Sequence, residues 1–70
     1  MIVRTGIVCS GNYKGWKIEV ADDSEGATGG FYLILSSREK IFDYWFENAR
    51  QLENQLTDFD VSWIIGSDGD

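Results

Sequence analysis

Ile41-Phe42-Asp43-Tyr44-Trp45-Phe46-Glu47-Asn48-Ala49-Arg50-Gln51-Leu52-Glu53-Asn54-Gln55-Leu56 is the stretch on which the fold turns. Two readings compete for it. In the first, one helix starts at a Ser36 cap with Glu39 three residues on; Ile41, Trp45, Ala49, Leu52 and Leu56 fall on one stripe, with Phe42 and Phe46 beside it. In the second, residues 41–46 are a strand of β-preferring side chains, joined through Ser36-Ser37-Arg38-Glu39-Lys40 to the strand before it. Asn48 then caps a short helix over Ala49–Leu56, with Gln51 in the capping-box position. The second reading is favoured because propensity changes sharply at Asn48. A single helix would also crowd five large apolar side chains into the six positions 41–46.

Working outward, residues 31–35 (Phe-Tyr-Leu-Ile-Leu) are apolar on both faces, as in a strand with partners on each side, and are taken as the middle of the sheet. Trp16-Lys17-Ile18-Glu19-Val20 alternates strictly, placing Trp16, Ile18 and Val20 on one face and the two charges on the other. Residues 2–9 carry the β-branched Ile2, Val3, Thr5, Ile7 and Val8 and read as a first strand, with the polar loop Ser10–Gly15 after it. Asp22–Gly30 is a longer loop whose glycines can supply reversals. Phe59-Asp60-Val61-Ser62-Trp63-Ile64-Ile65 alternates again and reads as the last strand, sending Phe59, Val61, Trp63 and Ile65 to one side. The expected architecture is a two-layer α+β domain over residues 1–65. It has an antiparallel sheet of four to five strands with one amphipathic helix packed on one face, and residues 66–70 form an acidic tail.

Composition excludes more than it specifies. The chain has 70 residues, 6 Lys plus Arg, 12 Asp plus Glu, one Cys and no His, for a net charge of −6. With a single Cys there is no internal disulfide, and without His there is neither a soft-ligand zinc site nor a Ser-His or Cys-His nucleophile pair. The longest apolar run, five residues at Phe31–Leu35, is far short of the ~20 that cross a bilayer. The N-terminus lacks the pattern of a secretory signal, so a cytoplasmic location with no membrane partner is expected. Cys9, at the end of the apolar stretch Ile7-Val8-Cys9 with no adjoining cation, reads as a small buried hydrophobe.

The motifs that could carry chemistry are weak. Counted as a calcium loop from Asp22, the third position is Ser24, the sixth Ala27 and the twelfth Leu33, so the required glycine and bidentate acid are missing. The glycines at 26, 29 and 30 lead into a strand rather than a helix, which removes the phosphate-cradle reading. Asp43, Glu47 and Glu53 are candidate paired carboxylates, but acid–base work needs one of them buried, and they read as solvent-facing. No enzyme activity, cofactor or metal is expected. Ten aromatic residues are the least ordinary feature. Trp16, Phe31, Phe42, Trp45, Phe46, Phe59 and Trp63 are assigned mostly to a small core, leaving Tyr13 and either Tyr32 and Tyr44 or the outward-facing members of Phe42–Phe46 at the surface. A surface aromatic strip could stack nucleobases, yet the six cations do not cluster, so no nucleic-acid partner is expected.

The stretch Phe42-Asp43-Tyr44-Trp45-Phe46-Glu47, followed by Leu52, Leu56 and Trp63 and preceded by Gly30-Phe31-Tyr32-Leu33, resembles small uncharacterised bacterial domains, including immunity-type proteins encoded beside toxins. The resemblance covers the C-terminal half and implies a non-enzymatic acidic protein that masks another protein. It carries over no functional residue. The reading of the residues and the resemblance point the same way, to an acidic protein-interaction domain, an inhibitor or immunity-like protein binding a basic partner. Asp22, Asp23, Glu25, Asp43 and Glu47 would supply charge, and Tyr13 and Tyr44 contact area. The alternative is a small-ligand-binding domain with a pocket between helix and sheet lined by Trp45 and Trp63. Self-association through an exposed edge strand, such as residues 2–9, is a third expectation.

Overall fold

The computed structural model describes residues 1–64. Ile65 and the acidic tail over residues 66–70 lie outside the described residues. The elements in chain order are β1 (Ile2–Val8), β2 (Lys17–Asp23), β3 (Gly30–Ser36), β4 (Ile41–Phe46), α1 (Ala49–Leu56) and β5 (Val61–Ile64). All neighbouring strands are antiparallel, in the order β4-β3-β2-β1-β5. The first four strands form a meander; α1 then crosses one face and delivers β5 to the far edge, beside β1. The α+β architecture with one helix on one face is the one expected from the sequence.

Local chemistry explains the punctuation. At the β1–β2 turn, Val8 donates to the Trp16 carbonyl at 2.9 Å while Gly15 donates to the Val8 carbonyl at 2.8 Å, so two residues oppose one. That bulge needs a left-handed residue, and Gly15 has φ +87°. Residues 41–46 are a strand paired along their whole length with β3, from Ser36↔Ile41 to Phe31↔Phe46. The helix begins where propensity changes: Asn48 sits in extended backbone and its side chain accepts from the Gln51 amide at 2.9 Å. Gln51 returns the bond, its Oε1 accepting from the Glu47 amide at 3.1 Å.

The core is aliphatic. Val8, Ile18, Val20, Leu33, Leu35, Leu52 and Leu56 are buried, the last two being the inward stripe of α1. The aromatic residues do not fill it. Tyr13, Trp16, Phe31, Phe46, Phe59 and Trp63 are partly buried around its margin, and Phe42, Tyr44 and Trp45 are exposed. The reason is geometric: an eight-residue helix, packed chiefly against β3 and β4, is too short to cover a five-stranded sheet, so the core has few fully enclosed positions for wide rings.

Three expectations about placement are corrected. Residues 2–8 are not an edge strand, because β1 pairs with β2 on one side and β5 on the other; the edges are β4 and β5. The centre of the sheet is β2, with β3 one place over. Cys9 is exposed rather than buried, since β1 ends at Val8 and the chain leaves the sheet there.

Candidate functional site

Alternation along the strands divides the side chains between two faces. On the helix side, Gly6 lies opposite both Ile18 and Trp63, Val20 opposite Leu33, and Leu33 opposite Tyr44. Among the described residues the other side has no second layer. Across it the register sets three rows: Ile41, Ser36, Lys17, Ile7 and Ser62; then Asp43, Ile34, Glu19, Thr5 and Ile64; then Trp45, Tyr32, Ala21 and Ile2. Ile41 is 70% exposed, Ile64 61% and Trp45 48%. The Trp45 indole lies over Gly30, where a Cβ would meet its Nε1 at 2.5 Å. Eight of these fourteen positions are apolar, and the row Trp45, Tyr32, Ala21 and Ile2 is apolar throughout, which makes a contiguous patch rather than a lone exposed side chain.

Its charges are few and unequal. Lys17 is joined to Glu19 by an ion pair at 3.8 Å, and Asp43 enters no ion pair among the described residues. Asp43 and Glu19 flank Ile34 across the middle row, so the face is apolar with a net negative centre.

On the helix side two clefts run beside α1. The first, about 570 Å³, is lined by Tyr13, Leu33, Leu35, Asp43, Tyr44, Trp45, Phe46, Gln55 and Phe59. Tyr13 meets the Trp16 ring edge-on at 5.0 Å and Phe59 at 6.1 Å, and Trp16 stacks on Phe42 at 5.8 Å. The second lies between Val3, Arg4, Trp63 and Ile64 of the sheet and Glu53, Leu56 and Thr57 of the helix side. There Arg4 pairs with Glu53 at 3.1 Å and sits 5.4 Å from the Trp63 ring centroid. Among the described residues neither cleft joins Trp45 and Trp63, because Trp45 lies opposite Tyr32 on the open face and Trp63 lies opposite Gly6 under the helix.

The residues proposed for partner contact are dispersed. Tyr13 is half-buried in the aromatic margin rather than free in a loop, and Tyr44 faces the same cleft from β4. Asp43, its neighbour in sequence, projects to the open face. Glu47 lies past the end of β4 and does not share a strand face with Asp43. It stands at the end of the sheet where β2 turns into β3, near the strand ends that carry Asp22 and Asp23. Glu25 is exposed in that turn.

Asp22 and Asp23 are occupied in building the turn. Asp22 Oδ1 accepts from the Ser24 hydroxyl at 2.6 Å and its amide at 2.9 Å; Asp23 Oδ2 accepts from the Thr28 hydroxyl at 2.6 Å and its amide at 3.3 Å. Hydrogen bonds to the ionised form hold both carboxyls below the ordinary 3.8, the hydroxyl of Ser24 or Thr28 being the largest cause. A depressed folded pKa stabilises the folded turn above the unfolded value, and that contribution is lost as pH falls through the folded one. The Ser24 and Thr28 amides are therefore expected to lose protection as pH drops below 3.8, read by amide NMR. In Asp23→Asn the acceptor stays and the titration goes, so the Thr28 response should vanish. An undiminished Thr28 response in that variant would assign it to another group.

What the sequence left undecided is which side of the sheet is open and which residues line it. Part of the signal was present: β3 is apolar on both sides, and β1 carries Ile7 opposite in phase to Val8. Ile2 shares Val8's phase in the sequence and reaches the open face only through the register shift between Ile2 and Arg4.

Among the described residues no three Cys, Asp or Glu side chains converge on a metal position, and no helix is long and apolar enough to cross a membrane. No protein-family model, no curated protein and no solved structure matches the chain.

Proposed function

We propose that this chain is a small non-enzymatic interaction domain, of the inhibitor or immunity type, that holds a basic partner protein against the uncovered face of its sheet. One observation carries the reading: an apolar five-strand face whose middle row sets Ile34 between Glu19 and Asp43. Apolar area supplies affinity, and an acid without an ion-pair partner selects a surface that offers Lys or Arg. The chain's net charge of −6 adds a long-range field that speeds encounter with a basic molecule. Glu25 and Glu47, exposed at the far end of the sheet, contribute to that field rather than to the contact.

The test uses immobilised protein as bait in extract of the native host at low salt, with Trp45→Ala, Asp43→Lys and Glu25→Lys baits alongside. A partner with a basic face is expected on the wild-type bait. Its retention should weaken about 30-fold with Trp45→Ala, the scale of an interface hot spot. It should be lost with Asp43→Lys, change only modestly with Glu25→Lys, and fall as salt shortens the Debye length below ~10 Å. Identical capture by all four baits, or capture insensitive to salt, would sink the reading.

A further inference from the structure

We propose that the outer edge of β4 pairs with β4 of a second copy, antiparallel about Tyr44, to make one continuous sheet across a weak homodimer. The proposal is independent of the partner on the open face.

The hydrogen-bond phase of β4 is fixed twice. Ser37 donates to the Lys40 carbonyl at 2.8 Å, which makes residues 37 and 40 a bonded pair. Antiparallel ladders alternate, so Phe42, Tyr44 and Phe46 bond to β3 while Ile41, Asp43 and Trp45 direct their amides and carbonyls to the free edge. The other end of the sheet gives the same phase: Val8 bonds Trp16, and counting across β2 and β3 leaves Leu35, Leu33 and Phe31 facing β4.

Edge strands are ordinarily protected by brevity, a bulge, Pro or Lys. β5 has four residues among those described. β4 has six residues in unbroken register, no bulge, no Pro and no Lys, and its only charge is Asp43. Of the registers that pair this edge in phase, the two with the longest overlap, five residues each, are centred on Asp43 and on Tyr44. The first sets the two Asp43 carboxylates directly opposite, which is destabilising. The second sets Asp43 against the partner's Trp45, with both residues directing backbone groups to the shared edge, and packs Phe42 against the partner's Phe46 and Tyr44 against its own counterpart. The strand is thus self-complementary in one register.

Area supports a second copy and bounds its affinity. Ile41, Phe42, Tyr44 and Trp45 are 40–70% exposed. Taking about 200 Å² for a large side chain, they offer roughly 400 Å² per copy, or about 800 Å² in a pair. That is the size of a weak, dissociable association. Charge acts in the same direction: at −6 per copy the monomers repel, so added salt should strengthen this dimer, the opposite of its effect on a basic partner.

The experiment is sedimentation of the purified full chain from about 10 μM to 1 mM, at low and high salt. The weight-average mass is expected to rise from 7.9 kDa toward twice that value, more steeply at high salt. In parallel, amide exchange of Ile41, Asp43 and Trp45 should slow as concentration rises. Tyr44→Lys places like charges opposite each other and should hold the protein monomeric. Asp43→Pro removes an outward amide without breaking a bond to β3 and should do the same; circular dichroism confirms the fold of each. A monomer at all wild-type concentrations overturns the proposal. So does a dimer that survives both folded variants, or one abolished by Ile7→Lys while the β4 amides exchange unchanged, which would place the copies face to face.

Discussion

Leu33→Ala is expected to remove most of the domain's stability. Leu33 is 0% exposed, lies between Val20 and Tyr44 on the ladder, and belongs to the cluster that includes Leu52 and Leu56 of α1. Truncating a buried Leu costs about 2–5 kcal/mol, combining lost transfer energy with the cavity left behind. A domain of this length holds on the order of 4–10 kcal/mol in total. In urea, followed by tryptophan fluorescence, the midpoint should fall by about 2 M or more, or the folded baseline should vanish. Ile34→Ala, one residue on, removes a half-buried side chain from the open face, leaves no closed cavity and should cost only about 1–1.5 kcal/mol. The contrast tests the face assignment, since two neighbours of similar size differ only in which layer they meet. Equal losses would show that the second face is covered too.

Gly6→Ala is the second large effect, and it strikes the other edge of the sheet. A Cβ at Gly6 would stand 2.7 Å from Val61 Cγ1, 2.8 Å from the Ser62 carbonyl oxygen and 2.9 Å from Trp63 Cε3. One of these three is backbone, so rotating a side chain does not relieve the clash; β5 must move. Overpacking of this kind costs about 1–3 kcal/mol. The loss should be local first. The bond from the Cys9 amide to the Asp60 carbonyl, 2.7 Å, and the Arg4–Trp63 contact both depend on where β5 sits. Amide exchange is expected to accelerate at Cys9 and along Val61–Ile64 while β2 and β3 stay protected. Wild-type stability and exchange in Gly6→Ala would show that Trp63 does not lie against the strand.

These two substitutions mark a difference in what the sequence reveals. Leu33 was legible as core, because a five-residue apolar run flanked by turns reads as an internal strand. Gly6 was not: it sits within a β-branched strand, and nothing local says that a tryptophan 57 positions later, at Trp63, will lie on it. The same split runs through the candidate site. Asp43 and Tyr44 were legible as exposed residues of an aromatic strand, whereas their separation onto opposite faces follows from the pairing with Ile34 and Leu33. Asp22 and Asp23 were legible as an acidic loop, but their use as acceptors for Ser24 and Thr28 depends on how the turn closes.

The sequence by itself marked most of the elements. Period-two alternation, the propensity change at Asn48 and the Asn48–Gln51 pair favour a strand over residues 41–46, a last strand over 59–65 and a helix over 49–56, because these are short-range effects of sterics and capping. The pairing with β3 is what decides 41–46 as a strand, and the last strand is Val61–Ile64. It also determined the absence of histidine chemistry and of an internal disulfide. The tertiary structure alone decided the order β4-β3-β2-β1-β5, which makes β1 interior and leaves β4 as the long free edge. It alone decided which of two apolar faces the helix covers. Several strands are apolar on both sides, so local pattern leaves that choice open; the crossing of α1 from β4 to β5 settles it. The face left bare, and not the acidic loop, is therefore where the contact surface of this protein lies in the proposed function.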